Sequence, residues 1–265
     1  MAALRLAAIY RYPLKSAAGL SCAQATVDHF GVAGDRRWLL VDPAGDFLSQ
    51  RRLPALALLQ AEERDDGLVL AFGGAQLAVP GPAAGAPARA VTVWGDRVMA
   101  LDAGEAAADW LGERLGTACR LVYMPDDCRR PVDPAYAPAG RRVNFADGFP
   151  LLLLTQASLD GLNARLPTPV PMDRFRPNLV IDGAAPHAED GWRRLRIGAV
   201  TVDLVKPCSR CAIPSIDQAT AARDPHINRV LAGYRRRDGA VLFGQNGLHD
   251  GPGTLAVGDP VTVLA

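Results

Sequence analysis

A chain of 265 residues, 49% hydrophobic and 22% charged, is long enough for one large core or two, and its composition excludes a disordered, collagen-like or coiled-coil protein. Its 29 Lys and Arg against 28 Asp and Glu supply no general field for nucleic acid or an anionic membrane, so any anion site must be local. Arg5 and Arg11 leave no room for a signal-peptide core and no apolar run reaches the ~18 residues of a membrane helix, so a cytoplasmic protein without a membrane partner is expected.

In chain order, the first half reads as short strands broken by turns: residues 4–10, 23–27 and 38–41, the last ending at Asp42-Pro43-Ala44-Gly45, then 68–72 and 90–93. The Gly-, Pro- and Ala-rich stretch 81–85 lies between strand-like runs and reads as a loop. Ala108, Leu111 and Leu115 share one face of a helix over 104–115, which closes a first unit. Pro, Asp and Arg crowd residues 125–140, an irregular junction. Beyond it come a buried strand over 149–155, a helix over 158–166 with Leu159 and Leu162 at helical spacing, and strands at 178–181, 195–197, 200–205 and 261–264. The sum is two β-rich units with a few helices, an α+β chain without internal repeats.

Five cysteines, Cys22, Cys119, Cys128, Cys208 and Cys211, form no regular framework and fit reduced thiols. Only Cys208 and Cys211 are close, in Lys206-Pro207-Cys208-Ser209-Arg210-Cys211 after the 200–205 strand. Pro207 is expected to stop the ladder and turn the chain into a loop. Arg210, Lys206 and loop amides favour a thiolate, the form that binds a soft metal or attacks sulfur. Three blander readings stand beside it: half of a structural zinc site lacking its second ligand pair, a thioredoxin-like redox pair without the usual βαβ setting, and two packing thiols. The four histidines are scattered and read as surface or structural groups, and Trp38, Trp94, Trp110 and Trp192 as packing residues.

Cationic and amide-bearing residues recur at strand ends: Lys15-Ser16 after the first strand, Gly34-Asp35-Arg36-Arg37-Trp38 before another, and Phe175-Arg176-Pro177-Asn178 in the second half. Singly, each is a solvated strand edge. Together, Lys15, Arg36 and Arg176 are candidates for clamps on phosphate and oxo-anions.

With these segments in view, the chain resembles the MOSC family, named after the C-terminal domain of molybdenum cofactor sulfurases, and its amidoxime-reducing branch in particular. IYRYPLKSAAGL, GVAGDRRWLLVD, VWGD, LLLLTQASLDGLNARL, FRPNLVI, KPCSRC, LFGQN and VGDPV carry the resemblance over nearly the whole chain. It implies two β-barrel-like units with peripheral helices, a MOSC N-terminal domain over 1–122 and a MOSC domain over 123–265. It implies a molybdenum-molybdopterin cofactor with Cys211 as the metal's thiolate ligand and Arg210 beside the reacting centre. Lys15, Ser16, Arg36, Arg176, Asn178, Cys208, Ser209 and Arg210 fall at cofactor-contacting positions, with Thr155, Ser158, Gln245 and Asn246 as further lining. Asn246 stands where the vertebrate proteins have tyrosine. The implied activity is reduction of small N-hydroxylated or N-oxide substrates. The chain stops after VGDPVTVLA without the two-iron domain of some relatives, and its cysteines offer no iron-sulfur ligand set, so electrons are expected from a separate ferredoxin, flavodoxin or reductase. No pyridoxal-phosphate domain precedes the motifs, so cysteine desulfuration by this chain alone is not expected. A cofactor carrier or persulfide relay is the alternative, and a β-rich interaction protein with an unused site is a third reading.

Overall fold

Brief apolar and β-branched runs, cut short by Gly, Pro and Asp, become many short strands. A computed structural model describes residues 3–83 and 85–265, so residue 84 of the expected 81–85 loop lies outside the described residues. The strands are β1 (Arg5–Arg11), β2 (Leu20–Cys22), β3 (Gln24–Asp28), β4 (Gly31–Val32), β5 (Trp38–Val41), β6 (Gln60–Arg64), β7 (Gly67–Phe72), β8 (Ala75–Pro80), β9 (Ala88–Val93) and β10 (Asp96–Asp102). After helix α1 (Glu105–Leu115) come β11 (Arg120–Tyr123), β12 (Leu151–Thr155), α2 (Gln156–Asn163), β13 (Leu179–Asp182), β14 (Arg194–Ile197) and β15 (Val200–Ser209). Helix α3 (His226–Arg235), β16 (Arg236–Arg237), β17 (Ala240–His249), β18 (Gly253–Ala256) and β19 (Val261–Val263) complete a β-rich α+β fold. No helix among the described residues is long and apolar enough to cross a membrane.

The largest sheet runs β19-β14-β15-β17-β12-β13-β1-β2, with β16 added to β17; smaller sheets are β5-β11-β10-β9, β18-β3-β4 and β6-β7-β8. Strands from the first 32 residues thus pair with strands from the far end of the chain: β1 lies against β13 and β3 against β18. Sheet pairing crosses the expected 122/123 division. The reason is apolar complementarity: Leu6, Ile9 and Val27 bury their side chains with Leu153, Leu179, Val202 and Leu255. A second core gathers Trp38, Leu40, Leu70 and Leu121 with Ala107, Leu111 and Leu115 of α1. The consequence for the site is direct. The turn after β1 is carried to the ends of β12, β13 and β15.

Two local features shape that end of the sheet. The β15–β17 ladder shifts register between Leu204 and Lys206 and again between Pro207 and Ser209. Pro207 therefore bends the strand at a bulge rather than ending it, contrary to the expected stop, and β15 runs on to Ser209. In β17, Gly244 has φ +84, and a Cβ there would sit 2.9 Å from the Leu153 carbonyl oxygen, so only glycine lets β17 lie this close to β12.

Candidate functional site

Strand ends and turns from both halves of the chain line one open cleft. Lys15 and Ser16 follow β1, Arg36 precedes β5, Arg51 follows it, Asp147 precedes β12, Arg176 and Asn178 precede β13, and Cys208 to Cys211 come from the end of β15. Five cations, Lys15, Arg36, Arg51, Arg176 and Arg210, line it against a single carboxylate, Asp147. The cleft is built to attract an anion.

Tyr12 organises two of the cations. Its fully buried ring lies 4.5 Å from the Arg36 guanidinium and 4.2 Å from that of Arg176, and its hydroxyl donates to the Pro177 carbonyl at 3.0 Å. Arg36 donates to Asp35 at 2.6 Å, to Asn178 Oδ1 at 3.3 Å and to the Arg176 carbonyl at 3.2 Å. Arg176 Nη1 donates to the Ala17 carbonyl at 2.7 Å, while its Nη2 is buried with no hydrogen-bond partner. A buried, unpartnered guanidinium nitrogen is costly, and in a residue lining a cleft it calls for a ligand. Burial, with Arg36 adding to it, brings the Arg176 pKa down to about 10.

Ser16, Arg36 and Arg176 have φ of 68°, 47° and 55°, three of the seven non-glycine residues with positive φ among the described residues. This left-handed region costs L-residues of order 1–3 kcal/mol each. The backbone holds them there: the Gln50 side chain donates to Ser16 O at 2.8 Å, Arg36 N donates to Tyr12 O at 2.7 Å, and Arg176 N to Asp173 O at 3.1 Å. Strain concentrated on three neighbouring cleft residues marks a site whose side chains are aimed.

Lys15 is almost fully buried, its Nζ 2.6 Å from Asp147 Oδ1. Burial pushes its pKa down to about 8, with Asp147 pulling it back up and Arg130 and Arg36 lowering it further. Desolvation works against ionisation of Asp147, but Lys15, Arg51 and the Trp94 indole N–H outweigh it and hold the carboxyl well below the usual range. Trp94 donates to Asp147 at 3.2 Å and stacks under Arg51 at 4.6 Å, so it is half-exposed at the rim rather than packed in a core. An anion entering beside Lys15 favours the ammonium, so its affinity must fall as pH rises through about 8, well before lysine's ordinary 10.5. Sulfate, whose charge is constant over the range, is expected to bind about tenfold more weakly at about pH 9 than at about pH 7 by titration calorimetry. Lys15→Arg is expected to flatten the profile, because a guanidinium stays charged. A wild-type affinity independent of pH would remove Lys15 from the anion site.

Both cysteines of the loop line the same cleft and are partly exposed, and all five cysteines are free. Arg210 Nη1 donates to Cys208 Sγ at 3.0 Å and Nη2 to the Phe175 carbonyl at 2.7 Å. Cys211 Sγ accepts only the Ile213 amide, at 3.5 Å, and Asn228 of α3 holds the Cys211 carbonyl at 3.1 Å. Among the described residues no group of three or more His, Cys, Asp or Glu is placed to hold a metal, which leaves the half-zinc reading without further ligands.

The sequence profile of the MOSC N-terminal beta barrel domain matches residues 3–118, and that of the MOSC domain matches residues 140–262. Mitochondrial amidoxime-reducing component 1 of Mus musculus is 34% identical over 278 residues, covering 98% of this chain and 82% of the relative. The chain belongs to the MOSC-domain family. The Homo sapiens component 1 is 32% identical with the same two coverages. Molybdenum cofactor sulfurase of Oryza sativa subsp. japonica is 29% identical over 91% of this chain, which spans 32% of that larger protein.

Within this MOSC chain the expected site residues fall into two groups. Lys15, Ser16, Arg36, Arg176, Asn178, Cys208, Ser209, Arg210, Cys211 and Asn246 all line the cleft. Thr155, Ser158 and Gln245 do not. Thr155 lies three residues beyond the cleft-lining Leu152, about 10 Å along the strand, and caps α2 by accepting from the Ser158 amide. Both hydroxyls turn to the buried Glu189, at 2.9 and 2.7 Å. Gln245 points away from its neighbour Asn246, as successive residues of a strand do, and donates to Asp190 at 3.0 Å. Asp35 and Asp217 are ion-pair partners of Arg36 and Arg174. Sequence reasoning did not single out Gln50, Arg51, Asp147 or Phe149. Asp147 and Phe149 lie just after a stretch read as an irregular junction, and nothing in their spacing announces a site.

Proposed function

We propose that this MOSC protein binds a molybdenum-pterin cofactor through Cys211 and the cationic cleft, and reduces small N-hydroxylated or N-oxide compounds with electrons from a separate donor protein. The observation that carries the reading is the convergence of two partly exposed thiols and five cations on one cleft, one of them Arg176 with a buried N–H that lacks a partner. That donor set fits an anionic group ending in phosphate and bearing a thiophilic metal. Lys15, Ser16, Arg36 and Arg176 would hold the anionic end, Asn178 would fix Arg36, and Cys211 would supply the thiolate. When bound, the group supplies two-electron redox chemistry. Arg210, anchored on the Phe175 carbonyl, offers positive charge beside the Cys208 thiol and would stabilise negative charge developing there. The names of the amidoxime-reducing relatives point to the substrate class, N–OH compounds whose reduction to N–H takes up two electrons and two protons and releases water.

Protein produced in a cofactor-competent host should contain molybdenum near one atom per chain and reduce an N-hydroxylated amidine with an artificial reductant. Cofactor-loaded protein with no such activity would sink the reductase reading. Contact between Arg210 and Cys208 supports a second reading, a carrier or persulfide relay, because a guanidinium at 3.0 Å also stabilises a persulfide anion. A thiol-labile extra sulfur on protein free of molybdenum would favour the relay.

A further inference from the structure

Charge along this nearly neutral chain is unevenly spread. Residues 206–237, from the end of β15 through the cysteine loop and α3 to β16, hold seven Lys or Arg against two Asp, while the remaining residues hold 22 basic against 26 acidic. Both acids are already paired: Asp217 with Arg174 at 2.6 Å and Asp224 with His226 at 2.8 Å. Arg235 and Arg237 share Asp190. Lys206, Arg210, Arg223, Arg229 and Arg236 make no salt bridge with a carboxylate among the described residues.

Arg210 lines the cleft, and the other four lie on segments that bond to or pack against its lining residues. The Val241 carbonyl accepts from Arg210 N at 2.8 Å, and Val241 pairs across the hairpin with the exposed Arg236, one strand further out. Exposed Arg223 donates to the carbonyl of the cleft-lining Arg51 at 2.7 Å. The Asn228 bond to Cys211 fixes α3, which carries Arg229, against the loop. Lys206 lies over Tyr136, whose ring touches the cleft-lining Phe149.

We propose that this face is the docking surface for a small, acidic electron-transfer protein, an inference that rests on the reductase reading. Electron transfer weakens steeply with distance, so a donor must seat over the cysteine loop, and the unpaired cations are placed there. Complementary charge steers such weak, transient encounters. Two other anionic partners suit the surface less well. Tyr234 is the sole Phe, Tyr or Trp between 206 and 237 and Arg165 covers its ring at 4.7 Å, while His226 is tied to Asp224 at 2.8 Å, so bases find no broad stacking platform. The exposed large hydrophobic residues, Trp94, Met99, Val257, Val263 and Leu264, all lie outside this segment, so it has nothing to insert into a bilayer.

The test uses full-length holoprotein and a plant-type two-iron ferredoxin as the acidic probe, with basic cytochrome c as the counter-probe. Ferredoxin should bind, its Kd rising at least tenfold between about 50 and about 300 mM NaCl, and cytochrome c should not. Arg223→Glu/Arg236→Glu should weaken ferredoxin binding at least tenfold at low salt without changing the melting temperature, whereas Arg64→Glu on β6 should leave it unchanged. Salt-independent binding, wild-type affinity in the double variant, or no ferredoxin binding while anionic vesicles or tRNA bind would each overturn the proposal. Turnover with reduced viologen separates the two readings. The double variant should keep it, and a wild-type protein that docks ferredoxin through these arginines yet reduces nothing with viologen would fail as a reductase only.

Discussion

Cys211→Ala is expected to abolish molybdenum retention by protein made in a cofactor-competent host, while the chain remains folded. The side chain is partly exposed and its sulfur has one weak partner, the Ile213 amide at 3.5 Å, so truncation forfeits little packing and should cost no more than about 1 kcal/mol. Binding of a thiophilic metal, by contrast, has no substitute donor at that position. Cys208 already accepts from Arg210 and sits on the bulged end of β15. Cys208→Ala should therefore retain metal where Cys211→Ala does not. Metal analysis beside a thermal melt reads both quantities. Wild-type molybdenum content in Cys211→Ala would show that the thiolate is not the ligand, and loss in both variants would make the pair the ligand set.

Local physics made much of the fold legible. The strand expected at 38–41 is β5, residue for residue, and the helix expected at 104–115 is α1 less one residue. The helix expected from residue 158 begins at Gln156 because Thr155 caps it. The strand β17 is not legible in the sequence, since Gly244, Gln245, Asn246 and Gly247 break the apolar alternation; Gly244 is there for close packing on β12 and Gly247 lies against Val202 and Leu204 of β15. Helix α3 carries Ile227, Val230, Leu231 and Tyr234 at helical spacing, so its local signal is present in the sequence. What no local pattern can give is long-range pairing. Gln50 meets Gln218 and Arg176 meets Ala17 across more than 150 residues, and such contacts are what gather Lys15, Arg36, Arg176 and the cysteine loop around one cleft. Recurrent cations at strand ends suggest that Lys15, Arg36 and Arg176 act together; the resemblance adds the cysteine loop to them as one cofactor site.

Removing the Asp35 carboxylate should destabilise the protein more than removing any cleft cation. Asp35 is fully buried and accepts the Tyr12 amide at 2.8 Å and Arg36 Nη1 at 2.6 Å. Burial works against the charge on Arg36, and Asp35 outweighs it, so the guanidinium is held more firmly protonated than usual. Asp35→Ala leaves Arg36 and Arg176 both against the Tyr12 ring with no nearby buried anion, besides orphaning the Tyr12 N–H. Breaking such a pair by removing one partner costs roughly 3–5 kcal/mol, a melting-temperature drop on the order of 10 °C for a chain of this length. Arg36→Met should cost less, and Asp35→Ala/Arg36→Met less than the two single losses combined, because the stranded charge is then gone. Urea unfolding of the four proteins closes the cycle. Strictly additive losses would mean that the ion pair does not set the energy of this corner. A large coupling would mean that the cleft's cations are held in place by a carboxylate that itself never reaches the cleft.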